Sequence, residues 1–172
     1  MRQVSAIVRT MSGAFPPKGQ PPILSVETKK EHLNMISALT SQGEIRYMLY
    51  EGSMDQQRMI AFLRNMIRTS RQKIFLILDN LKVHHGNMVG EWVSRHQDKI
   101  ALFFLLPYAP ESNPDEYLNH GLKLSVHTGD LPKNILDIRH KTNSYMRTLQ
   151  RNKNNVSAFF RHPLVSYACV RG

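Results

Sequence analysis

Residues 73–80 read Lys73-Ile-Phe-Leu-Ile-Leu-Asp79-Asn80, and in this stretch an apolar run of strand length ends abruptly on an acid. Such a run is typical of a strand buried on both faces of an α/β sheet. Open α/β sheets place their ligands and chemistry at the carboxyl ends of their strands. The stretch therefore predicts an α/β protein with Asp79 at a functional edge of its sheet.

The rest of the chain predicts a mixed sheet covered by helices. Apolar runs indicate three further strands, at 32–40, 45–50 and 100–106, and the first two are predicted to pair as a hairpin. Apolar residues at helical spacing indicate five helices, over 54–70 and 87–97, from 113–114 onward, through 135–149 and around 156–160. Residues 1–25, punctuated by Pro and Gly, are expected to be irregular.

Two local signals mark where helices begin. Ser53 followed by Gln56 resembles a capping box, in which two side chains satisfy the first backbone N–H groups of a helix. Asn113 is a favourable N-cap residue, and Pro114 suits the first helical position. Both signals stand directly before apolar residues at helical spacing.

Length and composition are those of one domain of 172 residues with a sizeable core. No apolar stretch approaches the roughly 18 residues of a membrane span. The start of the chain lacks the apolar core of a signal peptide, because Arg9 interrupts it. Cys169 is the only cysteine, which excludes an intramolecular disulfide and favours a reducing, cytoplasmic setting.

The charge is unevenly distributed along the chain. The formal net charge is +10, whereas residues 73–123 hold five Lys or Arg against six Asp or Glu. Both acidic motifs, at 79 and at 115–116, lie in this central segment. This distribution is typical of an enzyme whose basic surface binds phosphates and whose acidic centre binds cations. A basic protein without any role in nucleic-acid binding remains the alternative.

Each acidic motif has a simpler explanation beside the functional one. A carboxylate buried at a strand end needs a partner or a cation, and Mg²⁺ and Mn²⁺ favour such oxygen ligands. Asp79 with Asn80 could instead cap a turn. Asp115 and Glu116 could serve only the dipole of the helix that they open. Tyr108 could stack on a base or act as a buried anchor, and His84 and His85 could contact a phosphate or lie in a surface loop.

Two segments together resemble bacterial insertion-sequence transposases of the mariner-related group, which carry a DDE-type catalytic domain. They are Asp79-Asn-Leu-Lys-Val-His-His85 and Leu102-Phe-Phe-Leu-Leu-Pro-Tyr-Ala-Pro-Glu-Ser-Asn-Pro-Asp-Glu-Tyr-Leu-Asn119. The resemblance extends over about residues 15–168. It implies a ribonuclease-H-like α/β fold, in which three acids bind two Mg²⁺ or Mn²⁺ ions. Such enzymes cut a DNA strand at the element end and use the freed 3′-hydroxyl to attack target DNA.

Carried onto this sequence, the resemblance assigns roles to particular residues. Asp79 matches the second acid and Glu116 the third, with Asp115 as the fallback metal ligand. The residues that the resemblance and the local patterns nominate for DNA contact are Asn80, Lys82, His84, His85, Tyr108, Asn113 and Lys123. The implied partners are DNA, a second copy or an intact transposase, in a bacterial cytoplasm and associated with the nucleoid.

One departure from the family pattern changes the expectation about activity. The family's first acid belongs on an opening strand, yet no Asp or Glu precedes Glu27. The family's N-terminal helix-turn-helix region is also absent. We therefore expect residues 1–172 to be a single, N-terminally truncated catalytic domain that lacks its first strand and is inactive alone. The alternatives are a DNA-binding or oligomerising module without enzyme activity, which would interfere with intact transposase, and a metal-dependent nuclease with a substitute acid.

Overall fold

The computed structural model of the chain describes residues 4–11, 33–78, 86–104 and 114–161. The strands are β1 (Val4–Met11), β2 (Leu33–Thr40), β3 (Ile45–Glu51), β4 (Ile74–Leu78) and β5 (Ile100–Phe104). The helices are α1 (Gln56–Thr69), α2 (Asn87–Ser94), α3 (Asp115–His127), α4 (Ile135–Arg151) and α5 (Lys153–Ala158), followed by a 3₁₀ turn over Phe159–Arg161. None of these helices combines the length and the apolar composition that crossing a bilayer requires.

The five strands form one mixed sheet in the order β3-β2-β1-β4-β5. Strand β1 pairs antiparallel with β2 and parallel with β4. The strands and helices predicted after residue 32 are confirmed, with small shifts of their ends. The mixed α/β sheet is confirmed as well.

The prediction of a missing first strand is wrong, and so is that of an irregular start for residues 4–11. The rest of the stretch predicted to be irregular lies outside the described residues. Val4–Met11 is a strand, and it occupies the centre of the sheet. The local signal was weak because the polar residues Arg9 and Thr10 interrupt the apolar pattern. Pairing with a strand on each side stabilises the segment where its own pattern does not, as strand propensity depends strongly on context.

Two apolar layers cover the two faces of the sheet. Alternate residues of β2 point to opposite faces, so that Met35 and Leu39 join one cluster and Ile36 and Ala38 the other. Helices α3, α4 and α5 cover the first face, and α1 and α2 cover the second. Phe62 and Phe160 are the largest fully buried side chains, one in each layer.

Helix α1 starts with a different cap from the predicted capping box. Asp55, rather than Ser53, is the N-cap residue, and its carboxylate accepts a hydrogen bond from the backbone N–H of Arg58 at 2.7 Å. Gln56 instead accepts a hydrogen bond from the backbone N–H of Met88 at 3.0 Å. The capping-box prediction is therefore wrong, and Gln56 joins the starts of α1 and α2.

Replacing glycine with alanine is expected to have opposite effects on stability at Gly43 and at Gly90. Gly43 has φ +86°, and a Cβ there would lie 2.2 Å from the carbonyl oxygen of Lys153. Gly43→Ala should therefore lower the free energy of unfolding by more than about 2 kcal/mol. Gly90 lies inside α2 with nothing within 4 Å of an added Cβ. Gly90→Ala should raise stability by about 0.5–1 kcal/mol.

Urea unfolding of both variants beside the native protein would measure these differences. A neutral Gly43→Ala variant would contradict the close approach of the β2–β3 turn to the first residue of α5.

Candidate active site

A buried hydrogen bond fixes the first turn of α3 against the sheet. Asp115 is 0% exposed, and its Oδ1 accepts a hydrogen bond of 2.6 Å from the hydroxyl of Ser37 on β2. Pro114 precedes the helix with φ −61° and ψ −19°, so it already has helical geometry. The prediction that a helix starts near residue 114 is confirmed, although Asn113, its predicted cap, lies outside the described residues.

The strand register places this first turn relative to the end of β4. Ser37 pairs with Arg9 of β1, and the preceding residue of β1, Val8, pairs with Leu78 of β4. The hydrogen bond from Ser37 therefore holds the first turn of α3 level with Arg9, which is one residue further along β1 than the Val8–Leu78 pair. Asp79 follows Leu78 directly in the sequence. Two strand spacings, about 10 Å, separate β2 from β4.

Glu116 faces a different direction from Asp115, because successive residues of a helix are rotated by about 100°. Asp115 begins the buried stripe of α3, whereas Glu116 is half-buried. Lys123 lies seven residues, or nearly two turns, further along and is also half-buried. Glu116 and Lys123 thus line one partly accessible side of the helix.

Most of the other predicted site residues lie outside the described part of the chain. These are Asp79, Asn80, Lys82, His84 and His85 after β4, and Tyr108 and Asn113 before α3. Within the described ranges, no three His, Cys, Asp or Glu side chains come together as potential metal ligands. The structure brings Asp115 into contact with the sheet, places Glu116 half-buried beside it in the same helical turn, and leaves the placement of Asp79 untested.

Sequence reasoning missed Ser37, which holds Asp115. The available signal was a hydroxyl in the middle of an apolar strand, on the same face as Met35 and Leu39. A polar side chain buried at such a position requires a hydrogen-bond partner. The identity of that partner, 78 residues away, was not accessible from the local pattern.

Helix α4 packs against α3 and caps its carboxyl-terminal end. The Lys141 ammonium donates to the carbonyls of Val126 at 3.1 Å and Thr128 at 3.2 Å. It therefore caps the end of α3. Burial raises the pKa of the Tyr145 phenol, whose oxygen would lie only 2.2 Å from a Cβ at Gly121. The absence of a side chain at Gly121 lets the two helices approach closely.

A second tyrosine ties α4 to the sheet. The Tyr47 hydroxyl on β3 donates to the side-chain oxygen of Asn143 at 2.9 Å. Burial raises the pKa of Tyr47, and the positive charge of Arg147 partly offsets this effect. The raised pKa values of Tyr47 and Tyr145 favour their neutral phenols, and the Tyr47 hydroxyl donates to Asn143 in that form.

Removing the Ser37 hydroxyl should weaken the anchor of α3. Ser37→Ala removes a hydrogen bond to a buried carboxyl group, so we expect a loss of about 1–3 kcal/mol in the free energy of unfolding. Ser94→Ala is the matched control: Ser94 is exposed and donates only within its own helix, so its loss should change stability by less than about 0.5 kcal/mol. Equal effects of the two substitutions in urea unfolding would contradict the anchoring role of Ser37.

Comparisons with solved structures show the fold. The Mos1 mariner paired end complex with Mn matches with a TM-score of 0.59 at 14% identity, over 97% of this chain and 55% of that chain. The catalytic domain of the Mos1 mariner transposase matches with a TM-score of 0.57 at 12% identity, over 97% of this chain and 82% of that chain. A chain of the simian T-cell lymphotropic virus intasome, solved with the PP2A regulatory subunit B56 gamma, matches with a TM-score of 0.61 at 11% identity, over 94% and 55%.

The chain spans about half the length of the transposase chains in the Mos1 complexes. A comparison with curated protein sequences gave no match. A family model described as DDE superfamily endonuclease matches residues 4–139, which include β1 to α3 and the start of α4. The chain belongs to the DDE superfamily endonuclease family.

Proposed function

We propose that the chain is the catalytic-domain fold of a DNA transposase, with Asp79 and Glu116 as its remaining metal-binding acids. The observation that carries the proposal is the register that links Ser37, Arg9 and the Val8–Leu78 pair. Through the Ser37–Asp115 hydrogen bond, this register holds the start of α3 one residue beyond the level of Leu78. Asp79 is the residue that follows Leu78 in the sequence. Membership of the DDE superfamily endonucleases supports DNA as the substrate.

The donor set suits hard divalent cations. Carboxylate oxygens are preferred ligands of Mg²⁺ and Mn²⁺, and Glu116 is half-buried at the start of α3. Asp115 is less suitable, because it is fully buried and one of its oxygens is already bonded to Ser37. When bound at such a site, two cations activate an attacking oxygen and stabilise the leaving oxygen in phosphoryl transfer. The chain's own contribution is to orient Glu116 through the buried anchor beside it.

We also propose that the catalytic acid of the first strand has been replaced by a residue without a carboxylate. Strand β1 has the sequence Val-Ser-Ala-Ile-Val-Arg-Thr-Met, which contains neither Asp nor Glu. Arg9 stands at the register position that pairs with Ser37. The strand is thus present, but its residues supply no carboxylate to a two-metal site. We therefore infer that the protein binds a cation weakly and does not complete strand cleavage by itself.

A DNA-binding function without catalysis is the second candidate, and the net charge of +10 favours it. Phosphate contacts by Lys and Arg supply most of the non-specific affinity of proteins for DNA. Asn80, Lys82, His84, His85, Tyr108, Asn113 and Lys123 remain the proposed DNA contacts near the acids. Such a protein could compete with intact transposase for DNA or pair with it.

Calorimetric titration of Mn²⁺ tests the metal site. We expect saturable binding to the native protein and its loss in the Asp79→Asn/Glu116→Gln double variant, because both carboxylate ligands are removed. The matched control is Glu91→Gln/Asp130→Asn, which removes two exposed acids elsewhere and should leave the binding unchanged. Binding that persists in the Asp79/Glu116 variant would reject the proposed ligands.

Restoring an acid to β1 tests the substitution. Arg9→Asp should give Mn²⁺-dependent nicking of supercoiled DNA that the native protein lacks, and adding Asp79→Asn should abolish it. Thr10→Asp is the control, since successive strand positions face opposite sides of a sheet. If Thr10→Asp gains activity and Arg9→Asp does not, the proposed position of the acid is wrong.

A further inference from the structure

Four cations that lie close together in sequence precede the amino end of β4. Arg64 and Arg68 lie on the second half of α1, and Arg71 and Lys73 follow in the turn to β4. All four are exposed. We call these four residues the basic rim.

The topology separates the basic rim from the start of α3. Helix α1 begins beside the start of α2, where Gln56 accepts from the backbone of Met88. Its far end lies against the beginning of β3, where the Arg46 guanidinium donates to the carbonyl of Met66 at 2.7 Å. The chain then enters β4 at its amino end. The rim therefore lies at the amino end of β4, on the α1 side of the sheet. Asp115 and Glu116 begin α3 on the other side, where Asp115 bonds to Ser37 level with Arg9 near the carboxyl end of β1.

The basic rim has no acid paired with it in the described part of the chain. Glu91 of α2 lines the same cleft as Arg64, but its carboxylate pairs with Arg95 at 3.4 Å. No Asp or Glu occurs between Gln56 and Leu78. Ion pairs in the described part of the chain engage other cations, namely Arg58, Arg95, Arg139 and Lys153, and none of the rim residues takes part in one. The Arg68 guanidinium donates to the neutral side chain of Asn65 at 3.3 Å, and the Lys73 ammonium lies 5.7 Å from the ring centre of Phe75.

Like charges one helical turn apart destabilise a helix slightly, so the arrangement has a cost within the free protein. Arg64 and Arg68 are separated by four residues, a rise of about 6 Å along the helix. A polyanion with regularly spaced phosphates removes this repulsion and releases its own counterions on binding. An exposed, planar guanidinium is well suited to contact phosphate oxygens.

We propose that the basic rim binds the phosphate backbone of double-stranded DNA independently of the metal-binding acids. This proposal rests on the proposed function only in taking DNA as the ligand. The bound segment lies on the opposite side of the sheet from the start of α3, so it is not the segment presented to Glu116. The domain thereby holds a second stretch of DNA away from its catalytic edge.

The test is the salt dependence of DNA affinity, measured by fluorescence anisotropy on a labelled duplex of arbitrary sequence in EDTA. Each phosphate neutralised contributes about −0.9 to the slope of log K against log salt concentration. Arg64→Gln/Arg68→Gln/Arg71→Gln should therefore make the slope shallower by about 2.7 and weaken binding at low salt. The charge-conserving variant Arg64→Lys/Arg68→Lys/Arg71→Lys should retain most of the slope.

The matched control is Arg147→Gln/Arg151→Gln/Arg161→Gln, which removes the same charge from exposed positions on α4 and the 3₁₀ turn. It should change the slope by much less than the rim variant. An unchanged slope in the rim variant, or equal changes in both variants, would overturn the proposal and leave the rim as a solvated helix face.

The outcome is separable from that of the proposed function. A native protein that binds Mn²⁺ through Asp79 and Glu116 but no DNA in EDTA would reject the rim and retain the metal site. Rim-dependent DNA binding without specific Mn²⁺ binding would give the reverse result.

Discussion

The central position of β1 is the constraint on which the rest of the structure depends. In the described sheet, β1 joins the β2–β3 hairpin to the parallel β4–β5 pair, by antiparallel bonds on one side and parallel bonds on the other. The row that contains Ser37 is thereby aligned with the end of β4. A shift of β1 by one residue against either neighbour would flip its side chains to the other face and displace α3 relative to β4.

The buried hydrogen bond between Ser37 and Asp115 fixes the orientation of α3 on the aligned strands. Burying a carboxyl group is unfavourable unless it is hydrogen-bonded, so the helix is held where Ser37 can donate to Asp115. Rotating α3 by one residue would bury Glu116 in place of Asp115 and leave the Ser37 hydroxyl without this acceptor. The interaction therefore fixes the direction of Glu116 as well as contributing to stability, as buried polar contacts do in proteins where they fix a register.

The parts of the fold that were predictable from the sequence are those with strong local patterns. Strand β4 is an unbroken apolar run, and the buried positions Ile138, Thr142 and Leu149 of α4 recur at helical spacing. Strand β1 was not predictable, because its formation depends on neighbours that are distant in sequence. The same holds for the Ser37–Asp115 contact, since register between strands is decided by the whole sheet. The choice of Asp55 over Ser53 as the α1 cap depended on a shift of only two residues.

Metal-dependent cleavage and binding to a DNA backbone depend on different residues and are lost in different ways. Two-metal chemistry depends on a few carboxylates in one geometry, so replacing the acid of one strand is enough to remove it. Binding to a DNA backbone is a sum of exposed charges, each contributing a similar increment to the salt dependence. If the basic rim binds DNA as proposed, the domain would lose cleavage with its acid and still bind DNA. The absence of an acid from β1 and the presence of an exposed basic surface are therefore compatible in one protein, as the proposed role of a non-cleaving competitor for DNA requires.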